Sequence, residues 1–372
     1  MKAYCYSSYY CFKYYYDYES IKSIKDIKTV IDKYKMFKLR IYLKDIDPLE
    51  LNLLNEFIIN MNYLTTLKIY SCTYNNRNIE FLNNLKEILL NKETITDLQL
   101  YDINKNEKLK TNFLYDALTV NTTLQKLTLD NYYYNYKDVN NFNNEILKLS
   151  EILLTNNTLT ELHLTSCYNL YRIDKSPLFE ALKYNKSITK LNLHCGFSFE
   201  YSSSKVNIYP NQFKVLSEML IINTNLTHLN LNYNCIGDEG LQHISEALLV
   251  NTSLTQLYLW KNYFSDVGIK SLCNALKANS TLTKLQLGLN KFNDSSVYYL
   301  CNMLKNNSVL TTLNLNHISI DMKSVELICE ALKTNTTLTH LNLLQNRIKR
   351  SDDKNILMKS LQYNSTLTKL KI

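Results

Sequence analysis

Apolar positions in this chain follow a phrase that alternates over a few residues and then changes period. In Asn223-Thr-Asn-Leu226-Thr-His-Leu229-Asn-Leu231, the leucines at 229 and 231 alternate with polar neighbours, the mark of a strand with one buried face. After a turn at Asn234, Leu241, Ile244, Ala247 and Leu248 return at helical spacing. The phrase recurs at 251–259, 279–287 and 335–343, with a looser copy at 307–315, so its leading leucines (226, 254, 282, 310, 338) stand 28 residues apart.

The same beat runs outside this stretch. Its leading residue falls at Met36, Leu64, Ile95, Leu124, Leu159 and Ile188, and a last copy is Leu367-Thr-Lys-Leu370-Lys-Ile372, which makes twelve units. A fixed period of this size marks a solenoid, in which a unit buries its apolar face only against its neighbours, so the stack folds and a lone unit does not. The expected class is therefore α/β, with one solenoid over 36–372. Ahead of it, Ile21, Ile24, Ile27, Val30 and Ile31 recur at helical spacing and predict a capping helix behind a Tyr-rich arm, together filling 1–35.

Polar residues keep the period too. Asn234, Asn262, Asn290 and Asn346 stand where the chain leaves each strand, where a side-chain amide can satisfy backbone groups that the turn strands inside the core. Ile318 breaks that ladder. Asp238 is expected to cap the helix it opens, and Asn251 to end that helix in the left-handed conformation. Cys273, Cys301 and Cys329 share one repeat position with Ser150, Ser217 and Ser245. A position that accepts Ser or Cys needs a small packed side chain, not a disulfide or a metal ligand.

These features resemble the leucine-rich repeat family, specifically its ribonuclease-inhibitor-like class. The carriers are Leu226-x-x-Leu229-x-Leu231-x-x-Asn234, Ile236-Gly-Asp-Glu-Gly240 and the Ser-Glu-Ala-Leu helix segment at 245–248. The match is close over 223–347 and looser over 36–222. The resemblance implies a horseshoe with a concave parallel β-sheet and convex helices.

Composition changes the picture little. Hydrophobic residues make up 45% and charged residues 20%, a foldable chain rather than a disordered one. The 30 tyrosines reflect either codon bias or a sticky surface. A net charge of +8 permits acidic partners, but no run of five like charges occurs, so nucleic acid is not the expected partner. The nine cysteines read as free thiols suited to a reducing cytosol. No segment has the form of a signal peptide or a membrane span. A cytoplasmic protein is expected, with secretion into a host cell as an effector left open. Asn-x-Ser/Thr triplets at Asn121, Asn251, Asn279 and Asn335 belong to the repeat phrase and read as structural.

Function is sought in what the repeat leaves unspecified. Between the leucines, His228, Tyr233, Tyr258 and Trp260 are expected on the open face, and exposed aromatics are favoured interface anchors. Two units are oversized after their strands. Their inserts carry Tyr132, Tyr133 and Tyr134, and Phe197, Phe199 and Tyr201. Insertions in repeat arrays map to one face, often the binding one, although surface loops are also tolerated cheaply.

No catalytic pattern emerges. The six histidines form no H-E-x-x-H and no phosphate-cradling loop is present, so neither enzyme activity nor a cofactor or metal is expected. His228 and His340 lie four units apart, roughly 19 Å, too far to share a metal. The expected function is a non-catalytic scaffold holding a protein partner of unknown identity. The alternative is a GAP-like regulator of a small GTPase. It rests on a fainter resemblance to the Ran GTPase-activating protein family, for which Arg77 and Arg172 are the candidate loop arginines. A substrate receptor for ubiquitin transfer is a third reading. A monomer is expected, and pairing through the edge at Leu370-Lys-Ile372 would give a dimer.

Overall fold

The computed structural model describes residues 37–42, 48–70, 77–101, 112–130, 139–165, 173–195, 209, 211–348, 355, 358, 359, 362 and 364–372. The arm and capping helix expected over 1–35 lie outside the described residues. Two compact units are present, meeting in sequence at Tyr168 and Asn169.

The first unit alternates strand and helix: β1 (Lys38–Tyr42), α1 (Pro48–Asn60), β2 (Thr66–Tyr70), α2 (Arg77–Asn91), β3 (Asp97–Tyr101), α3 (Asn112–Val120), β4 (Lys126–Asp130), α4 (Val139–Leu153) and β5 (Glu161–Thr165). Its strands pair in parallel and in chain order, with Leu39, Leu67, Leu98, Leu127 and Leu162 in one register row. All five are buried.

The second unit continues the alternation with α5 (Ser176–Tyr184), β6 (Lys190–Asn192), α6 (Gln212–Ile222), β7 (His228–Asn230), α7 (Gly237–Leu248), β8 (Gln256–Tyr258) and α8 (Asp266–Ala278). Next come β9 (Lys284–Gln286), α9 (Asp294–Asn306), β10 (Thr312–Asn314), α10 (Met322–Thr334), β11 (His340–Asn342) and β12 (Lys369–Lys371). Again every strand pairs in parallel with the next, the row running Leu191, Leu229, Leu257, Leu285, Leu313, Leu341, Leu370. Opposite these leucines, Leu241, Ile244, Ala247 and Leu248 of α7 and their counterparts in α8 and α9 close the core. Phe264 and Phe292 stack inside it, ring centroids 6.2 Å apart and nearly parallel at 6°.

Each word of the repeated phrase has a physical duty. Its asparagine opens the phrase with two functions. The Oδ1 atom of Asn279 accepts from the backbone N–H groups of Thr281 (3.1 Å) and Leu282 (2.8 Å), while its Nδ2 reaches back to the Leu248 carbonyl at 2.8 Å. Asn121, Asn156, Asn223, Asn251, Asn307, Asn335 and Asn364 repeat that bond to the preceding helix. At the matching station in the first unit, Lys92 does it with an ammonium group, donating to the Ile59 carbonyl at 3.0 Å. The threonine after the leading leucine bonds likewise from unit to unit, Thr255 Oγ1 to the Thr227 carbonyl at 3.0 Å and Thr283 Oγ1 to that of Thr255 at 3.1 Å. The asparagine bonds satisfy buried backbone groups that lack a strand partner, while the threonine hydroxyls add to carbonyls that already accept backbone N–H groups from the next unit.

The strand-exit asparagines form a second ladder, as expected. Asn262 accepts from the Asn234 N–H at 2.8 Å and donates to the Leu231 carbonyl at 2.8 Å; Asn290 does the same one unit on, at 2.6 and 2.9 Å. Ile318 supplies no amide, and Asn290 Nδ2 also bonds the Leu287 carbonyl of its own unit at 2.8 Å.

Two capping expectations are corrected. Asp238 does not cap α7. Its carboxylate accepts from the backbone N–H groups of Ser265 (2.7 Å) and Gly268 (3.0 Å), at the start of α8 in the next unit. Nor is Asn251 left-handed; among the described residues the positive φ values fall elsewhere. The equivalent asparagines 223, 279, 307 and 335 are extended, with φ of −75°, −68°, −90° and −79°, because their side chains are committed to the ladder just described. The Ser/Cys position is a packing site: Ser150, Ser217, Ser245, Cys273, Cys301 and Cys329 are all buried. Burial pushes the Cys301 thiol up to about 12, where it is inert.

Candidate binding face

Alternation turns every second strand residue of the second unit away from the helices. His228, Asn230, Gln256, Tyr258, Lys284, Gln286, Thr312, Asn314 and Asn342 are half-exposed there, and His340 and Lys371 are exposed. The face is held by backbone ladders that continue past the strands, the Leu231 N–H donating to the Tyr258 carbonyl and that of Tyr233 to the Trp260 carbonyl, both at 2.9 Å.

The aromatic candidates meet around two strand exits. Tyr258 donates its hydroxyl to Gln256 Oε1 at 2.6 Å, and the Lys284 ammonium sits 5.1 Å from its ring centroid. Trp260 donates its backbone N–H to Asn232 Oδ1 at 2.8 Å and its indole Nε1–H to Asn316 Oδ1 at 3.2 Å. The indole lies over Gly288, where a Cβ would come within 2.6 Å of two ring atoms. Tyr233 meets Trp260 edge-on at 5.0 Å and His194 at 5.1 Å, with Lys261 Nζ 5.1 Å from its ring.

The expectation of an open Tyr233 is corrected: it is 8% exposed, because a φ of 63° folds it against Trp260. Burial pushes its hydroxyl up to about 12. Trp260 is half-buried and bonded rather than a free anchor. His228 lies on the face with Nδ1 2.7 Å from Thr227 Oγ1. Tyr132, Tyr133, Tyr134, Phe197, Phe199 and Tyr201 lie outside the described residues, as does Arg172; Arg77 opens α2.

The first unit carries a pair that the sequence reading did not single out. Tyr70 and Tyr101 stack on the open face, centroids 4.4 Å apart at 4°, and the Arg40 guanidinium lies 5.9 Å from the Tyr70 ring. Tyr101 donates to Gln99 Oε1 at 2.8 Å, and Gln99 Nε2 donates to Asp97 at 2.8 Å. Burial, then the neighbouring Tyr70 and Asp130, push the Tyr101 hydroxyl up to about 12. The signal was available: Tyr42, Tyr70 and Tyr101 close three successive strands. On this face Lys126 pairs with Glu161 at 3.5 Å, and His163 Nε2 lies 3.3 Å from the same carboxylate while burial lowers the pKa of its ring.

Among the described residues no group of three or more His, Cys, Asp or Glu could hold a metal ion, and no helix is long and apolar enough to cross a membrane.

Comparison with known proteins adds the following. A family description, Leucine Rich repeat, matches residues 223–245 and 278–301. No curated protein matches the sequence. A chain of the yeast Rad7 and Elc1 complex is similar in structure, with a TM-score of 0.53 and 16% identity over 94% of this chain and 78% of that one. Leiomodin-1 Actin-Binding Site 2 matches at 25% identity and a TM-score of 0.36, over 43% of this chain and 90% of that one.

Proposed function

Taking as premise that the chain is a leucine-rich repeat protein, we propose that it is a non-catalytic scaffold that binds a partner protein through the open face of its sheet. The repeat length of 28 supports a ribonuclease-inhibitor-like class within it. The observation that carries the reading is the face of β6 to β12. There, half-exposed polar and aromatic side chains alternate with buried leucines on a backbone pinned by three ladders of side-chain bonds. Such a surface is rigid before a partner arrives, which reduces the ordering cost of association.

The face around Tyr258 and Trp260, and the inserts bearing Tyr132–Tyr134 and Phe197–Tyr201, are the assigned contacts. Buried free thiols at Cys195, Cys273 and Cys301 support a reducing, cytoplasmic setting. A pull-down comparing the wild type with a variant carrying Tyr258→Ala, Trp260→Ala and deletion of 131–136 tests the assignment. Loss of partner recovery is expected, and unchanged recovery overturns it.

A further inference from the structure

Carboxylates of the second unit stand on one side of it, whereas its lysines stand on both, Lys183, Lys214, Lys270, Lys277, Lys305 and Lys333 among them on the helices. Every described side-chain carboxylate of that unit lies on a helix or within two residues of a helix start: Asp174, Glu180, Glu218, Asp238, Glu239, Glu246, Asp266, Asp294, Asp321, Glu326 and Glu330. None stands on β6 to β12. The strands instead carry Lys190, Lys284, Lys369 and Lys371, with His228 and His340.

Hydrogen-bonding capacity is divided in the same sense. Asn230 Oδ1 accepts from the Asn232 N–H at 3.0 Å, Asn314 Oδ1 from Asn316 at 3.1 Å and Asn342 Oδ1 from Leu344 at 3.0 Å. Gln256 Oε1 takes the Tyr258 hydroxyl. In each amide the acceptor is used within the fold, and what it presents to a visitor is the NH2 group. The three asparagines share one register row, and neighbouring strands stand about 4.8 Å apart. A chain laid across the strands thus meets amide NH2 and ammonium groups, with Tyr258 and Gln286 standing in the same row, and no side-chain carboxylate.

Building on the scaffold reading, we infer that the partner segment seated on this face is an extended, carboxylate-rich stretch of polypeptide. Its side chains take charge-assisted hydrogen bonds from Lys284, Lys371 and the asparagine amides. A phosphate-bearing strand offers acceptors too, but single-stranded nucleic acid draws much of its affinity from open aromatic faces. Here the Tyr258 ring lies beneath Lys284, Trp260 lies over Gly288, and Tyr233 is buried.

The test uses the full chain and three fluorescent probes: poly-L-glutamate, a poly-glutamine control and oligothymidylate of matched charge. Binding to poly-L-glutamate alone is expected, weakening as salt rises. The double reversal Lys284→Glu with Lys371→Glu is expected to weaken it about tenfold or more. Lys277→Glu on the exposed side of α8 is expected to change it less than about twofold. Lys284→Gln with Lys371→Gln serves as a second, milder variant, and circular dichroism checks that each folds. Equal or tighter binding of oligothymidylate overturns the inference in favour of phosphate. No binding of poly-L-glutamate, or equal loss in Lys277→Glu, overturns it outright. A native partner whose capture depends on Tyr258 and Trp260 but survives the double reversal leaves the scaffold standing and removes the acidic segment.

Discussion

Trp260 donates its indole N–H to Asn316, two repeats further along the chain, at 3.2 Å. Between them lies Gly288, whose missing Cβ makes the contact possible; a methyl there would fall 2.6 Å from the indole and 2.0 Å from Asn316 Oδ1. Trp260 is the chain's one tryptophan, so its fluorescence reads this site alone. Gly288→Ala is expected to lift the ring into solvent, shifting emission to the red and increasing acrylamide quenching while the circular dichroism holds. Asn316→Ala should do the same to a lesser degree. An unchanged spectrum in Gly288→Ala would sink the packing described.

The asparagine at the head of the phrase predicts a large loss from a small change. Asn279→Ala would strip the Leu248 carbonyl of its partner and free the N–H groups of Thr281 and Leu282, the first and last of these in the interior and Thr281 at its margin. Each orphaned buried group costs about 1–3 kcal/mol, so a loss of about 2–4 kcal/mol is expected in denaturant unfolding. Asn279→Asp keeps the acceptor but not the donor and should lie between. Hydrogen exchange at Thr281 and Leu282 separates the two, since only the alanine exposes those amides. A loss below about 0.5 kcal/mol in the alanine variant would contradict the ladder.

How much of this was legible in the sequence depends on whether a residue's duty lies inside its own unit. Leu229 and Leu231 alternate, and Leu241 to Leu248 recur at helical spacing, so strand and helix follow from local pattern. The strand-exit asparagines were equally readable, because a turn at every unit must satisfy its backbone somewhere. Asp238 misled because it stands in the first turn of one helix in sequence while serving the next helix in space. Lys92 was hidden because it performs an asparagine's role with different chemistry. Tyr233, Lys261, Leu289, His317 and Gln345 all adopt positive φ at one repeat position. No glycine marks that position, since the ladders impose it at about 1–2 kcal/mol per residue. Of the face, the residue list was readable and its internal bonding was not. Whether Trp260 is free or tied depends on Gly288 and Asn316, 28 and 56 residues away.

Asp238, Asp266 and Asp294 form a staircase in which each carboxylate bonds the residues that open the helix of the following unit, Asp238 reaching the Gly268 N–H inside α8 and the other two buttressing the caps Asn293 and Asp321. Asp266 accepts from the Asn293 N–H at 3.0 Å and from the hydroxyls of Ser295 and Ser296, and Asp294 from Asp321 N–H and the Ser324 hydroxyl. Asp238→Ala is therefore expected to fray α8, not α7, at about 1–2 kcal/mol, the usual loss for a cap. Faster exchange at Gly268 with protected amides in α7 checks it. Burial opposes ionisation of Asp266, but the bonds from Ser296, Asn293 and Ser295 outweigh it and hold its carboxyl below the ordinary 3.8. The folded state then binds this proton less readily than the unfolded one. Its contribution is intact above 3.8 and is lost as pH falls through the lower folded value. Asp266→Ala should flatten that part of the acid-unfolding curve.

Lys175 offers the opposite sign. It stands just before α5, 1% exposed, with its ammonium 3.2 Å from Oε1 of the equally buried Gln212. Burial lowers its pKa, against weaker opposing pulls from Cys195, Cys235 and Asp174. An ammonium that loses its proton more easily when folded makes the unfolded state the better proton binder. Stability therefore rises with pH between the folded value and the ordinary 10.5. Lys175→Met keeps the stem's packing and removes the charge. Replacing buried charge by apolar volume stabilises by about 1–4 kcal/mol where geometry permits, less here because Gln212 loses a donor. The variant is expected to unfold at higher denaturant than the wild type at neutral pH. The gap should shrink as pH is raised toward 10.5. A gap that stays constant across that range would show that Lys175 is charged in the fold and stabilised by its neighbours, contrary to the direction argued.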